Sequence, residues 1–203
     1  MKQKCYIIGA GDNSGTKFYK EKNEYVIAAD GGLAVLKQLG IQPNLILGDF
    51  DSLGFVPQGD NVICHPVEKN DTDMMLAVKE AVELGYTEIE LYGGTGGRND
   101  HTIANLQTML WASRQKCRIK MIDRDNTYYV ITDGSMQLPA KATGTFSVFA
   151  LGGVAQGVSV RGGKYTADNV TLTPDNPTAV SNAYAGGKVE ISVECGSLLI
   201  ITE

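Results

Sequence analysis

Six short apolar runs, with amphipathic stretches between several of them, restrict this chain more than any other feature. They lie at 4–9, 25–29, 44–48, 61–64, 87–92 and 118–123. Runs of this length, bounded by turn residues and alternating with helical patterns, predict a βα-repeating parallel sheet. The clearest helix is predicted from Thr72 to Leu84, where Met74, Ala77, Val78, Ala81 and Val82 share one face and Lys79, Glu80 and Glu83 the other. A second is predicted over 101–114 with Ile103, Leu106 and Leu110 inward. Leu33–Leu39, closed by Gly40, predicts a short third.

After Asp133-Gly134 the helical period vanishes. Short Thr-, Ser- and Val-rich runs (145–150, 157–160, 189–193, 197–202) alternate with turn signals at Gly152-Gly153, Gly162-Gly163, Pro174–Pro177 and Gly186-Gly187. The expected fold class is thus α/β: a parallel-sheet, Rossmann-like N-terminal domain over 1–133, then a small all-β domain, a sandwich or a barrel, over 134–203. A hydrophobic share of 43% in 203 residues suffices for real cores.

The formal charge of −5, with no Lys/Arg run, argues against a nucleic-acid partner or an anionic membrane surface, because both need a concentrated basic face. No segment approaches the ~20 apolar residues of a membrane helix. The opening Met1–Ala10 imitates a signal peptide, but its apolar run is very short and it reads as a first strand. Cys5, Cys64, Cys117 and Cys195 lie in or beside apolar runs with no C-x-x-C pair, so buried thiols are expected rather than disulfides or metal ligands. The expected setting is cytoplasmic and the expected partner small.

The aspartates carry the functional signal. Asp30 follows the second run, Asp49 and Asp51 follow the third, and Asp71 and Asp73 open the Thr72 helix. Strand exits and helix entrances form the edge where open α/β sheets bind ligands. Two unit charges ~6 Å apart at an effective dielectric of about 20 repel by roughly 3 kcal/mol, so a shared acidic site calls for a cation. Hard oxygen ligands suit Mg²⁺. Asp71 and Asp73 have a plainer alternative as helix-capping residues, which the Asp49-Phe50-Asp51-Ser52 stretch lacks.

Tyr92-Gly-Gly-Thr-Gly-Gly-Arg-Asn-Asp-His101 is a glycine-rich turn from strand to helix. Its glycines let backbone approach a ligand, the helix start offers free N–H groups to an anion, and Arg98 can grip phosphate in a fork. The alternative is a flexible connection in which Arg98 pairs with Asp100. Gly9-Ala-Gly11-Asp-Asn-Ser-Gly15 resembles a dinucleotide fingerprint with its third glycine one place late, and reads as a turn. His65 reads as structural.

Four motifs in order, Ala29-Asp-Gly-Gly32, Gly48-Asp-Phe-Asp-Ser52, Asn70-Asp-Thr-Asp73 and Gly93–His101, together resemble the thiamine diphosphokinase (thiamine pyrophosphokinase) family. Gly162-Gly-Lys-Tyr165 is similar to the family's Gly-Leu-Lys-Trp stretch, and Ser181-Asn182 to its Ser-Asn pair. The resemblance implies an ATP- and Mg²⁺-binding α/β domain, a β-sandwich, and a homodimer with thiamine sites between subunits. ATP and thiamine would give thiamine diphosphate and AMP.

Carried over motif by motif, Asp49, Asp51 and Asp73 would hold Mg²⁺. Asp71, Arg98 and Asp100 would serve the reaction. Asp30, Gly31, Thr72, Gly96 and His101 would join those three in binding the nucleotide, and Tyr165, Ser181 and Asn182 would border thiamine. Gly163 and Tyr165 stand where the commoner pattern has Leu and Trp, which leaves ring stacking weaker or supplied from elsewhere. Asp100 and Asp71 are both candidates to accept the proton of the attacking hydroxyl. Two rivals exist: a phosphatase built on the D-x-D of Asp49 and Asp51, whose chemistry wants that motif after the first strand, and a non-catalytic sensor of nucleotide or thiamine.

Overall fold

The apolar runs become strands within a residue or so of their expected limits. The computed structural model describes residues 4–203 except 16, 17, 19, 21–23, 51–53, 67 and 69. It divides into two units, Met1–Ala112 with Cys117–Arg124, and Ser113–Lys116 with Asp125–Glu203. The first contains β1 (Cys5–Ile8), β2 (Tyr25–Ala29), α1 (Gly32–Gln38), β3 (Leu45–Gly48), β4 (Val62–Cys64), α2 (Asp73–Glu83), β5 (Glu88–Tyr92), most of α3 (Asn99–Arg114) and β6 (Arg118–Ile122). Its strands pair in parallel in the order β4-β3-β2-β1-β5-β6.

Every residue of β1 is buried, so both sheet faces are covered there. On one face Tyr6, Ile8, Val26, Ala28 and Tyr92 pack with Leu33 and Leu36 of α1. Gly32 permits that approach, because a Cβ there would lie 1.9 Å from the Ile8 carbonyl oxygen. α2 lies on β1, β2 and β3 and buries Met74, Ala77, Val78 and Ala81, the stripe its sequence predicts apart from half-buried Val82.

α3 departs from expectation. Ile103 is 58% exposed, and the buried positions include Asn105, Thr108, Met109, Leu110 and Ala112. The inward face is partly polar because its polar groups find partners: Asn105 Nδ2 donates to the Gly94 carbonyl at 2.7 Å and Thr108 Oγ1 to the Ala104 carbonyl at 3.0 Å. The thiols also depart in part. Cys5 and Cys117 are buried, with burial pushing Cys5 up to about 12, whereas Cys64 at the end of β4 and Cys195 in the last strand are exposed.

The second unit is antiparallel: β7 (Thr127–Leu138), β8 (Thr145–Ala150), β9 (Ala155–Arg161), β10 (Ala167–Leu172), β11 (Asn182–Ala183) and β12 (Val189–Thr202). The two final runs form a single strand. β12 pairs with β7 along both halves, with β9 in its first half and with β8 in its second, and its register shifts between Val193 and Ser197. Asp133 sits opposite this bulge with φ of 46°, and its carboxylate accepts the Gly196 N–H at 2.9 Å. Asp133-Gly134 is therefore an irregularity inside β7. The divide between the units falls after Arg124, where β7 has yet to begin, and not at the expected 133. Phe146, Val148, Val160, Ile191, Leu198 and Ile200 centre this unit's core. Among the described residues the sheet structure is mixed, parallel in the first unit and antiparallel in the second.

Among the described residues, one charged group, Glu90, lies inside the first unit. Glu90 is 4% exposed. Its Oε1 meets Lys4 Nζ at 2.7 Å and Lys120 Nζ at 3.0 Å, while Tyr92 donates to Oε2 at 3.1 Å. Burial pushes the carboxyl up, but the bonds from Lys4 and Lys120 outweigh it and hold Glu90 below its ordinary value. The stabilisation is complete above the unfolded value of about 4.3 and is lost as pH falls through the lower folded value. Glu90→Gln should lower stability at pH 7 by about 1–3 kcal/mol and flatten the acid limb of a Tm-against-pH series. An unchanged acid limb would refute this assignment.

Candidate functional site at the glycine-loop edge

The strand order reverses direction at β1. From β1 the chain steps outward through β2, β3 and β4, and α2 then carries it back to β5 on the other side of β1. The loops after β1 and β5 thus separate at the switch point, where open α/β sheets form a crevice. Backbone hydrogen bonds hold the two loops together: Gly9 N–H to Tyr92 O at 2.8 Å, Gly11 N–H to Gly93 O at 2.9 Å, and Asp12 N–H to Thr95 O at 2.8 Å. Only glycine fits between them. A Cβ on Gly11 would stand 2.5 Å from the carbonyl oxygens of both Gly93 and Thr95.

A cavity of about 280 Å³ opens at this edge. Its wall includes Gly9–Gly11, Asp30, Thr72, Asp73, Gly93–Thr95, Gly97, Arg98, His101 and Asn105. Each expected member has a local cause. Asp30 turns the chain from β2 into α1 with φ of 47°, a left-handed conformation that Asp tolerates better than most residues. Thr72 is the N-cap of α2 and accepts the Met75 N–H at 3.2 Å, which sets Asp73 in the first turn, where the helix dipole favours an anion. Asn105 and Thr95 brace the glycine loop from below, Asn105 through Gly94 and Thr95 through a 3.0 Å bond to Asp123 Oδ2.

Other expected members stand back from the cavity wall. Asp71 pairs with Lys79 at 2.6 Å. Asp100 is exposed and receives Arg98 in a two-bond fork, Nε at 3.2 Å and Nη2 at 2.6 Å. The Arg98 guanidinium holds the Asp100 carboxyl below the usual carboxylate range. Gly31 is the N-cap of α1. Gly96, with φ of 78°, packs against Asp12, whose Cβ a side chain there would meet at 2.3 Å. Asp49 follows β3, and Gly48 before it touches Asp30, since a Cβ on Gly48 would lie 3.0 Å from the Asp30 Cα.

Phe50, after Asp49, has φ of 62° and is 2% exposed among the core residues under α1. Left-handed backbone costs about 1–3 kcal/mol at such a residue, which burial of the ring offsets. Asp51 lies outside the described residues. Hard carboxylate oxygens fit a Mg²⁺-type cation, and of the expected ligands Asp73 is on the cavity wall. Among the described residues no three His, Cys, Asp or Glu side chains gather as a metal-holding group.

In the second unit, Tyr165 is 61% exposed and Asn182 is 9% exposed. Ser181 has φ of 58° and its N–H is taken by Ser147 Oγ at 3.0 Å. The sequence reading missed Gly9, Gly11, Thr95, Asn105 and Phe50. The first two were visible as a displaced fingerprint, and Asn105 as a polar residue one helical turn after His101.

Parallel strands with glycine loops at the switch point and an arginine beside helix N-termini define the class: an open α/β protein with a cavity at its switch-point edge. The chain belongs to the thiamin pyrophosphokinase family. The catalytic-domain model of that family matches residues 16–121, and its vitamin B1 binding domain matches 135–198. The thiamine pyrophosphokinase of Bacillus subtilis (strain 168) is 25% identical over 190 residues, 90% of this chain and 89% of the relative. A crystal structure of thiamine pyrophosphokinase from Bacillus subtilis superposes with a TM-score of 0.87 at 24% identity, covering 99% of both chains. One from Geobacillus thermodenitrificans gives 0.83 at 25%, covering 99% of this chain and 97% of the other.

Gly11→Ala should force the two loops apart. The expected result is a loss of about 1–3 kcal/mol in urea unfolding together with weaker binding of inorganic triphosphate in titration calorimetry. Unchanged affinity would show that the loop junction does not shape the anion site.

Proposed function

We propose that the chain is a thiamine diphosphokinase, transferring the diphosphoryl group of ATP to the hydroxyl of thiamine and releasing AMP. The observation that carries this reading is the cavity at the switch point, whose wall brings Asp30, Asp73 and Arg98 together between two glycine loops. The finer architecture belongs to the same proposal: a Rossmann-like catalytic domain, then a β-sandwich that binds thiamine and dimerises. So do a homodimeric assembly and a cytoplasmic setting, the latter supported by free thiols at all four cysteines.

In this reading the N-terminal turn of α2 and the backbone of the glycine loops receive phosphate oxygens, with Asp30, Gly31, Thr72, Gly96 and His101 shaping the nucleotide end. Asp49, Asp51 and Asp73 would hold Mg²⁺, which when bound neutralises charge on the bridging phosphate oxygens. The Arg98–Asp100 pair is exposed, 73% and 63%, so its opening costs little. Arg98 then turns its fork onto phosphate. Its departure also frees Asp100, whose carboxyl rises toward the ordinary range and becomes a better acceptor for the proton of the attacking hydroxyl. Asp71, held by Lys79, orients the start of α2 and is the alternative acceptor.

The test is an assay with ATP, thiamine and magnesium in which AMP and thiamine diphosphate are followed together. Equimolar release of both is expected. Inorganic phosphate released without thiamine would favour a phosphatase, and tight binding without product a sensor. Arg98→Ala should lower kcat by about 10²-fold or more, whereas Asp100→Asn should lower it by about 10–10³-fold if Asp100 is the proton acceptor. An Asp100→Asn enzyme with normal turnover would pass that role to Asp71.

A further inference from the structure

The side chain of Asn182 is almost fully committed inside its own unit. Its Oδ1 accepts the Tyr165 N–H at 3.0 Å and the Ala183 N–H at 2.8 Å, and its Nδ2 donates to the Tyr165 carbonyl at 2.7 Å. A primary amide offers two donors and two acceptor positions, so a single N–H remains, on a residue 9% exposed. Asn182 thus bonds both main-chain groups of residue 165, as a neighbouring strand would. The main chain continues the same attachment: Lys164 N–H donates to Ala183 O at 2.8 Å, and Gly163 bridges Tyr184.

The packing requires the glycine before it. A Cβ on Gly163 would lie 2.9 Å from Phe146 Cζ and 3.1 Å from both amide atoms of Asn182. Phe146 is itself the register partner of Asn182 and packs edge-on against Tyr184 at 5.3 Å. What the assembly leaves outside is the Tyr165 ring, 61% exposed, with Lys164 Nζ 5.3 Å from its centroid. A two-torsion aromatic side chain on a clamped main chain is a preorganised stacking surface.

We infer that Asn182 is a positioning residue, acting on the acceptor substrate through Tyr165: it fixes the main chain at 165 so that the ring is presented for a flat aromatic cation. The inference rests on the thiamine reading above. It assigns Asn182 a role different from direct substrate contact. Gly163, in place of the commoner leucine, is then the companion of Phe146 and Asn182 rather than a loss.

The test pairs exchange with kinetics. In Asn182→Ala, which removes the acceptor of the Tyr165 N–H, the Tyr165 amide should exchange at least tenfold faster, whereas the near-isosteric Asn182→Asp keeps that acceptor and loses only the donor to Tyr165 O. The KM for thiamine should rise about tenfold while kcat and the KM for ATP stay within about twofold. In a Tyr165→Ala background the same Asn182 substitutions should add little, because both act through one ring. An equal increase in KM in both backgrounds would overturn the inference and make Asn182 a direct contact. Unchanged exchange at Tyr165 in a folded Asn182→Ala protein would overturn it as well. If the unmodified enzyme makes no thiamine diphosphate, the functional reading fails by that measurement alone, while the exchange result still decides whether Asn182 holds residue 165.

Discussion

The first unit depends on main chain meeting main chain between the loops after β1 and β5. Three N–H to carbonyl bonds close that junction, and the absence of side chains at Gly9, Gly11 and Gly93 is what allows it, since a Cβ on any of them would come within 3 Å of a carbonyl oxygen. The cavity wall follows from it. Gly94 can be braced by Asn105, Thr95 can reach Asp123, and Arg98 leaves the loop at the start of α3. A wider junction would leave those donors without their carbonyls, each an unmet polar group costing about 1–3 kcal/mol.

The acidic residues are treated unequally by the fold. Glu90, in the middle of β5, has its charge met by two lysines and accepts a hydrogen bond from the Tyr92 phenol. Asp71 and Asp100 each have one cation. Asp30 and Asp73 are placed by backbone geometry, a left-handed turn in one case and a capped helix start in the other, on the cavity wall at the switch-point edge.

Strand positions were legible because buried parallel strands read as continuous apolar runs, as β1 to β3 do, while β5 and β6 keep their apolar residues beside Glu90 and Lys120. The face of α3 was not, because Asn105 and Thr108 point inward and Ile103 outward. Hydrophobic periodicity is blind to a polar residue whose partner is a main-chain carbonyl, of the preceding loop for Asn105 and of the helix itself for Thr108. Asp133-Gly134 misled for a similar reason: the pair has turn chemistry, but here it answers a bulge in β12 more than fifty residues later. At the switch-point edge, Asp30, Thr72, Asp73, Arg98 and His101, drawn from three of the motifs, share one cavity wall. Tertiary pairing decided the rest. Lys79 claims Asp71, and the displaced glycine pair after β1 proves to be half of the junction.

β12 has a consequence for how the second unit comes together. β7, β8 and β9 all take it as a partner, and its far end joins Thr202 to Thr127. Contacts so distant along the chain carry a large loop-closure entropy before any pairing rewards them, so high contact order slows assembly. The earlier strands of this unit therefore wait with open edges until one late segment arrives. Its kinetics, and its exposure to wrong partners in the interval, are governed by the docking of that single strand.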